Sequence, residues 1–179
     1  MNALQMKSFN RIGTLTVALG LALSGCGRPF DVKTPRGFVE LENQGPDYAY
    51  RATTADGVVV AVRTIDATGR QDLGFWEQAV ALQLRDASGY ALLGTKDVRS
   101  GDGTAGRELD FGRDQNGKPY AYRVALFTAQ DRVFLLEAGG AKASVARYGD
   151  ALDWQVTTFN AKCGFFLAPV LGSRTCNRW

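Results

Sequence analysis

Tyr120-Ala121-Tyr122-Arg123-Val124-Ala125-Leu126-Phe127-Thr128 and Arg132-Val133-Phe134-Leu135-Leu136-Glu137 are two apolar, aromatic-rich runs separated only by Ala129-Gln130-Asp131. Their length and composition suit strands rather than helix. Ahead of them, Asp114-Gln115-Asn116-Gly117-Lys118-Pro119 is a hairpin turn that leads back to a further strand over Arg107 to Arg113. Strands joined by connections this short pair antiparallel, so the centre of the chain is an antiparallel sheet.

Working outward, Tyr90 to Arg99 adds another strand. Before it the apolar period changes: Leu73, Trp76, Val80 and Leu84 fall three and four apart, which predicts an amphipathic helix over Asp72 to Arg85 with Asp72 as its N-cap and Trp76 in the core. Gly37 to Glu42, Tyr48 to Thr54 and Gly57 to Thr64 predict a meander, and the continuous run Val58-Val59-Val60-Ala61-Val62 predicts a strand covered on both faces. On the other side of the opening stretch, Gly139-Gly140 ends the last strand. Val145, Tyr148, Leu152, Val156 and Phe159 then predict one long helix over Ala141 to Phe159. The pattern is an α+β fold: an antiparallel β-sheet of six to seven strands packed with two main helices.

The first 25 residues stand apart from that pattern. Lys7 and Arg11 are followed by an uncharged run from Ile12 to Leu23, too short to span a bilayer. This is a secretory leader, and Leu23-Ser24-Gly25-Cys26 resembles the bacterial lipobox, whose cysteine is diacylated before the leader is cut away. The resemblance implies a mature chain that begins at a lipidated Cys26, a membrane partner held through that lipid, and palmitate-type acylation. Gly27 stands where Asp would retain such a lipoprotein in the inner membrane, which points to the outer membrane, with the periplasmic face the expected side. The domains expected are residues 1–25 as signal peptide, 26–36 as a lipidated tether, 37–160 as the α+β domain and 161–179 as a C-terminal tail. A tether of roughly ten residues, discouraged from helix by Pro29 and Pro35, reaches at most about 35 Å.

Removing Lys7 and Arg11 from the 21 basic residues leaves 19 against 18 acidic ones, so the net charge falls from +3 to +1. A near-neutral domain with interspersed signs gives no footprint for nucleic acid. Cys163 and Cys176 remain, with twelve residues between them in an exported chain, and predict a disulfide; free thiols or an intermolecular bridge are the alternatives. With no histidine and Cys26 committed to lipid, no metal site is expected. The apolar run Phe165, Phe166, Leu167, Val170 and Leu171 inside that loop is a candidate partner surface, and equally a cap on the core.

Catalytic constellations are thin. Gly101-Asp102-Gly103-Thr104-Ala105-Gly106 matches G-x-G-x-x-G, but a strand follows it where a dinucleotide site needs a helix, so it predicts a turn and no cofactor. Ser100 with Lys96 and Ser144 with Lys142 are formal Ser-Lys pairs, and Asp47, Asp72, Asp110 and Glu137 are carboxylates that nothing in the sequence brings together. Tyr48 with Tyr50 and Tyr120 with Tyr122 alternate, placing each pair on one sheet face either as a binding surface or as packing beneath a helix.

Taken together, Gly37 to Glu42, Tyr120 to Phe127, Val133 to Gly140 and the ending Val156-Thr157-Thr158-Phe159 resemble bacterial envelope proteins with a PsbP-like fold. The resemblance spans about residues 37 to 160 and has no catalytic signature. It implies a sheet sandwiched by helices, no enzyme activity, and a binding or accessory role beside an envelope protein partner in secretion, surface motility or export. A small-ligand-binding lipoprotein and an envelope hydrolase with an unrecognised site are the other readings.

Overall fold

A computed structural model describes residues 28–67, 69, 72–163 and 174–175. The central strands are long because their residues alternate correctly for two covered faces. β6 (Ala105–Gln115), β7 (Lys118–Ala129) and β8 (Arg132–Ala141) form consecutive hairpins. The first turns through Asn116 and Gly117 alone, both at positive φ (56° and 74°), where a two-residue turn matches the twist of its strands. The turn is therefore tighter than the six-residue one predicted, and both strands run into it.

β2 (Val39–Glu40), β3 (Tyr50–Thr53), β4 (Val59–Asp66) and β5 (Ala91–Arg99) complete a seven-stranded antiparallel sheet in the order β2-β3-β4-β8-β7-β6-β5. The α+β class and the strand number are as expected. Val60 and Val62 are buried on one face and Ala61 on the other, so β4 is covered on both sides.

α1 (Leu73–Ser88) lies across one face of the sheet, capped by Asp72 Oδ1 accepting from the Gly74 N–H at 2.9 Å and ended by Gly89 at φ 66°. Its Leu73, Trp76, Val80 and Leu84 pack over Leu109, Val124, Leu126 and Leu135 as the apolar period required. No residue of α1 is fully buried, however, so Trp76 is a half-covered contact rather than a core residue.

The opposite face is covered by α2 (Lys142–Arg147) and α3 (Gly149–Thr158), with the one predicted helix broken at Tyr148. Tyr148 is held at φ −96°, ψ 12°, by its edge-on contact with Phe38 and its hydroxyl bond to Asp56. Beside these helices lies a small sheet of β1 (Phe30–Asp31), β9 (Asn160–Cys163) and β10 (Arg174–Thr175).

β1 and β9 correct two expected boundaries. Phe30 lies inside the span expected to be a free tether, yet it is 1% exposed and packs on Phe134 and Phe159 with ring centres 6.1 and 5.8 Å away. Burying that ring contributes about 2–3 kcal/mol, enough to order a segment that carries no periodicity of its own. Ala161, expected in the tail, is 1% exposed and faces Phe30, so the domain includes the start of that tail.

Candidate functional site

Strand alternation puts Arg51 and Ala61, Arg63, Tyr122, Glu137 and Gly139 on the α1 side of the sheet, beyond the end of the helix. All of these but Arg63 line an open hollow of about 360 Å³ together with Tyr48, Val59, Tyr90, Arg113 and Tyr120, and Arg63 stacks on its Tyr48 wall. Its floor is made of small groups, Ala61 and Gly139 among them, because larger side chains there would fill it. A Cβ on Gly139 would meet Tyr122 Cδ2 at 2.7 Å.

Two cation–aromatic stacks form its walls. On one side the guanidinium of Arg113 lies 4.8 Å from the centre of the Tyr90 ring, and Tyr90 packs on Tyr122 at 5.4 Å. On the other, Tyr48 lies between Arg51 and Arg63, at 5.4 and 5.7 Å. Such contacts hold a guanidinium in place while leaving its N–H edges for another partner.

The charges are not equivalent. Arg63 grips both oxygens of the buried Glu137, with Nε to Oε2 at 3.0 Å. Burial pulls the Arg63 pKa down, and the hydrogen bond and charge of Glu137 prevail and raise it. Burial, and after it the negative charge of Glu137, pushes the Tyr122 phenol far above its ordinary value, so it stays a neutral donor to that carboxylate. Arg51 and Arg113 have no carboxylate partner among the described residues. Arg113 donates to the Ser88 carbonyl at 2.9 Å and to Gln115 Oε1 at 2.8 Å, and its Nε is buried with no hydrogen-bond acceptor. The hollow therefore presents two unneutralised guanidinia, which suits an anion carried on a flat ring.

A second, apolar hollow of about 250 Å³ lies beneath α1 between Ile65, Trp76, Val80, Leu84 and Leu135, and shares Glu137 with the first. On the far face of the sheet, Arg123 ties Glu108, Asp110 and Asp153 together at 2.5, 3.1 and 2.9 Å, with Lys96 also 3.0 Å from Glu108. Glu108 and Arg123 border a cavity of only about 20 Å³, room for little more than water, while Lys96, Glu108 and Asp153 line an open hollow of about 220 Å³; the network links β5, β6, β7 and α3.

The residues singled out from sequence fare differently. Tyr120 and Tyr122 do share one face and both line the hollow. Tyr48 and Tyr50 do not: β3 begins only at Tyr50, which is fully buried on the α2–α3 side with its hydroxyl donating to Thr34 Oγ1 at 3.1 Å. Ser100 donates to Asp102 while Lys96 pairs with Glu108, and Ser144 bonds Asp56 rather than Lys142, so neither Ser-Lys pair forms. Asp72 is a helix cap, Asp110 pairs with Arg123 and Glu137 with Arg63.

The glycines of G-x-G-x-x-G serve packing instead. A Cβ on Gly101 would meet the Thr157 carbonyl at 2.9 Å, Gly103 turns at φ 84°, and Gly106 sits on β6 against Phe127. Among the described residues no cluster of His, Cys, Asp or Glu could hold a metal ion, and no helix is long and apolar enough to cross a membrane. Cys26, Cys176 and the apolar run Phe165, Phe166, Leu167, Val170 and Leu171 lie outside the described residues; Cys163 ends β9, where it faces Arg174 of β10.

The hollow was missed in the sequence because Arg51, Arg63, Tyr90 and Arg113 are spread over 63 positions and four elements or their edges. Only strand parity could have grouped them.

No protein-family profile matches the sequence, and no curated protein matches it. Among solved structures the chain is similar to cyanobacterial PsbP (CyanoP) from Synechocystis, with a TM-score of 0.54 and 11% identity over 74% of this chain and 86% of that one. It is similar also to LpqN of Mycobacterium tuberculosis, a protein involved in cell envelope biogenesis, at 0.54 and 16% over 73% and 81%. The Ran-binding protein Mog1p of Saccharomyces cerevisiae matches at 0.54 and 14% over 74% and 90%. At such identities the likeness is one of fold, the PsbP-like arrangement of an antiparallel sheet between helices.

Proposed function

We propose that this chain is a non-catalytic binding protein of the bacterial envelope, lipid-anchored at Cys26 to the outer membrane, and that its ligand enters the tyrosine–arginine hollow as an anionic group borne on a sugar or aromatic ring. The observation that carries this reading is the pair of guanidinia, Arg51 and Arg113, each stacked on a tyrosine and unmatched by any carboxylate among the described residues. A carboxylate or phosphate supplies the missing charge, and Tyr48, Tyr90 and Tyr122 supply faces for a ring. At about 360 Å³ the hollow falls in the range of small-ligand sites. Glu137, the carboxylate that lines the hollow, is committed to Arg63, which supports binding over hydrolysis. The ring can belong to a free small molecule or to a larger envelope component that presents it.

Titration calorimetry with glucuronic acid, a glucose phosphate and benzoate, against uncharged glucose and benzyl alcohol, tests the reading. Saturable binding of the anions alone, lost in both Arg51→Ala and Arg113→Ala, supports it. Equal binding of charged and uncharged compounds, or no effect of either substitution, overturns it. Cross-linking in intact cells through a photoreactive group placed at Tyr120 identifies a presenting component if one exists.

A further inference from the structure

We infer that the ligand of the tyrosine–arginine hollow is an amphiphile: its anionic ring sits between Arg51 and Arg113, and one short apolar substituent runs along β8 into the hollow beneath α1. The inference rests on the binding role proposed above and adds the second half of the ligand.

The two hollows lie end to end on one face of the sheet. Gly139, Glu137 and Leu135 are alternate residues of β8 and so share that face, with Gly139 lining the first hollow, Glu137 both and Leu135 the second. From Gly139 to Leu135 the strand rises about 13 Å. On β4 the register repeats the order: Ala61 stands opposite Glu137 and lines the first hollow, while Arg63 stands opposite Leu135 and lines the second. The charged groups at the junction, Arg63 and Glu137, are paired with each other. An apolar group therefore passes the junction without taking an unpaired charge out of water.

The second hollow suits an apolar occupant. α1 is held over β5, β6 and β7, with its Glu77 paired to Arg107 of β6 at 3.1 Å, and the gap lies on its flank toward β4 and β8. There Ile65, Trp76, Val80, Leu84 and Leu135 line about 250 Å³. Trp76, Val80 and Leu84 belong to the apolar face of the helix, yet none of them is fully buried. The fold thus orders apolar surface that it does not cover, and a ligand group that covers it gains the free energy of removing that surface from water. A cavity of ~150 Å³ is enough for a benzene ring, so this one admits a single ring or a short chain but not the paired long chains of a phospholipid.

The test uses the full chain with Cys26→Ser, so that no acyl group on the protein competes, and calorimetry below micelle-forming concentrations. Octyl glucuronide should bind roughly tenfold or more tighter than glucuronic acid. Octyl glucoside, which has the chain without the charge, should bind far more weakly than octyl glucuronide. Ala79→Leu adds bulk from a position on α1 that lines the second hollow, and should remove the gain while glucuronic acid binds as before. With Trp154→Phe and Trp179→Phe in place, the emission of Trp76 should shift to the blue with octyl glucuronide and stay where it is with glucuronic acid. Equal affinity for octyl glucuronide and glucuronic acid, or a gain that survives Ala79→Leu with Trp76 emission unmoved, overturns the apolar half of the ligand and leaves the anionic hollow standing. Octyl glucoside matching octyl glucuronide, or no binding of either acid, overturns the anionic hollow and the amphiphile with it.

Discussion

Arg63 and Glu137 are diagonal neighbours on β4 and β8, and the guanidinium closes on both oxygens of a carboxylate that is only 5% exposed. This pair cancels the one buried acid of the hollow, so that Arg51 and Arg113 keep their charge for a ligand. The strength of a buried pair shows when one member is removed, since the other is then left without compensation. Arg63 is itself partly open to water, which moderates the penalty. Arg63→Ala is expected to cost about 2–3 kcal/mol in urea denaturation, and the double variant with Glu137→Gln to recover a large part of that loss. Additive losses would show that the two groups are not coupled.

Gly139 and Tyr122 set the depth of the same hollow. An alanine at position 139 would bring its methyl to 2.7 Å from Tyr122 Cδ2, so the ring must tilt into the space above it. Gly139→Ala should cost about 1–3 kcal/mol and abolish binding of the anionic probes with Arg51 and Arg113 untouched. Unchanged affinity measured by calorimetry would place the ligand elsewhere.

The sheet could be read from sequence where patterning was local. Val124, Leu126 and Leu135 alternate with residues of the opposite face, and Asn116-Gly117 needs only its own φ values to make a hairpin. Helix α1 likewise followed from four apolar positions and Asp72. What escaped was long-range. Phe30 lies in a polar, proline-flanked stretch and is ordered by rings more than a hundred residues away, Phe134 and Phe159. Tyr148 sits in register for one long helix and breaks it because Phe38 and Asp56 hold it from outside. The hollow needed the pairing of five strands before its arginines could be seen together.

Asp56 ties the turn between β3 and β4 to α2. Its carboxylate accepts from the Thr54 hydroxyl at 2.7 Å, from Arg147 at 2.9 Å and from the Tyr148 hydroxyl at 3.2 Å. The Thr54 bond first, and then those from Ser144 and Tyr148, hold its pKa below the ordinary aspartate value. A carboxylate depressed on folding stabilises the protein above its unfolded pKa, about 3.9, and that contribution is lost as pH falls through the lower folded value. Asp56→Asn should therefore be less stable than the parent at neutral pH, with the two denaturation midpoints converging as the pH falls through the depressed folded value. A difference that is constant across that range would assign the effect to packing instead of charge.

Cys163 ends β9 and Thr175 ends β10, and these strands are hydrogen-bonded neighbours with Arg174 facing Cys163. The next residue is Cys176, so the proposed disulfide would close the loop that the two strands begin. If it forms, Cys163→Ser and Cys176→Ser remove the same cross-link and must be equivalent. Each should lower stability by about 3 kcal/mol, and a reducing agent should bring the parent down to the same value while leaving the variants unchanged. Alkylation of the exported protein without reduction should leave both cysteines unmodified. Two labelled thiols in its mass spectrum, or single variants that differ from each other, would exclude the bridge and leave β9 and β10 held by their backbone ladder alone.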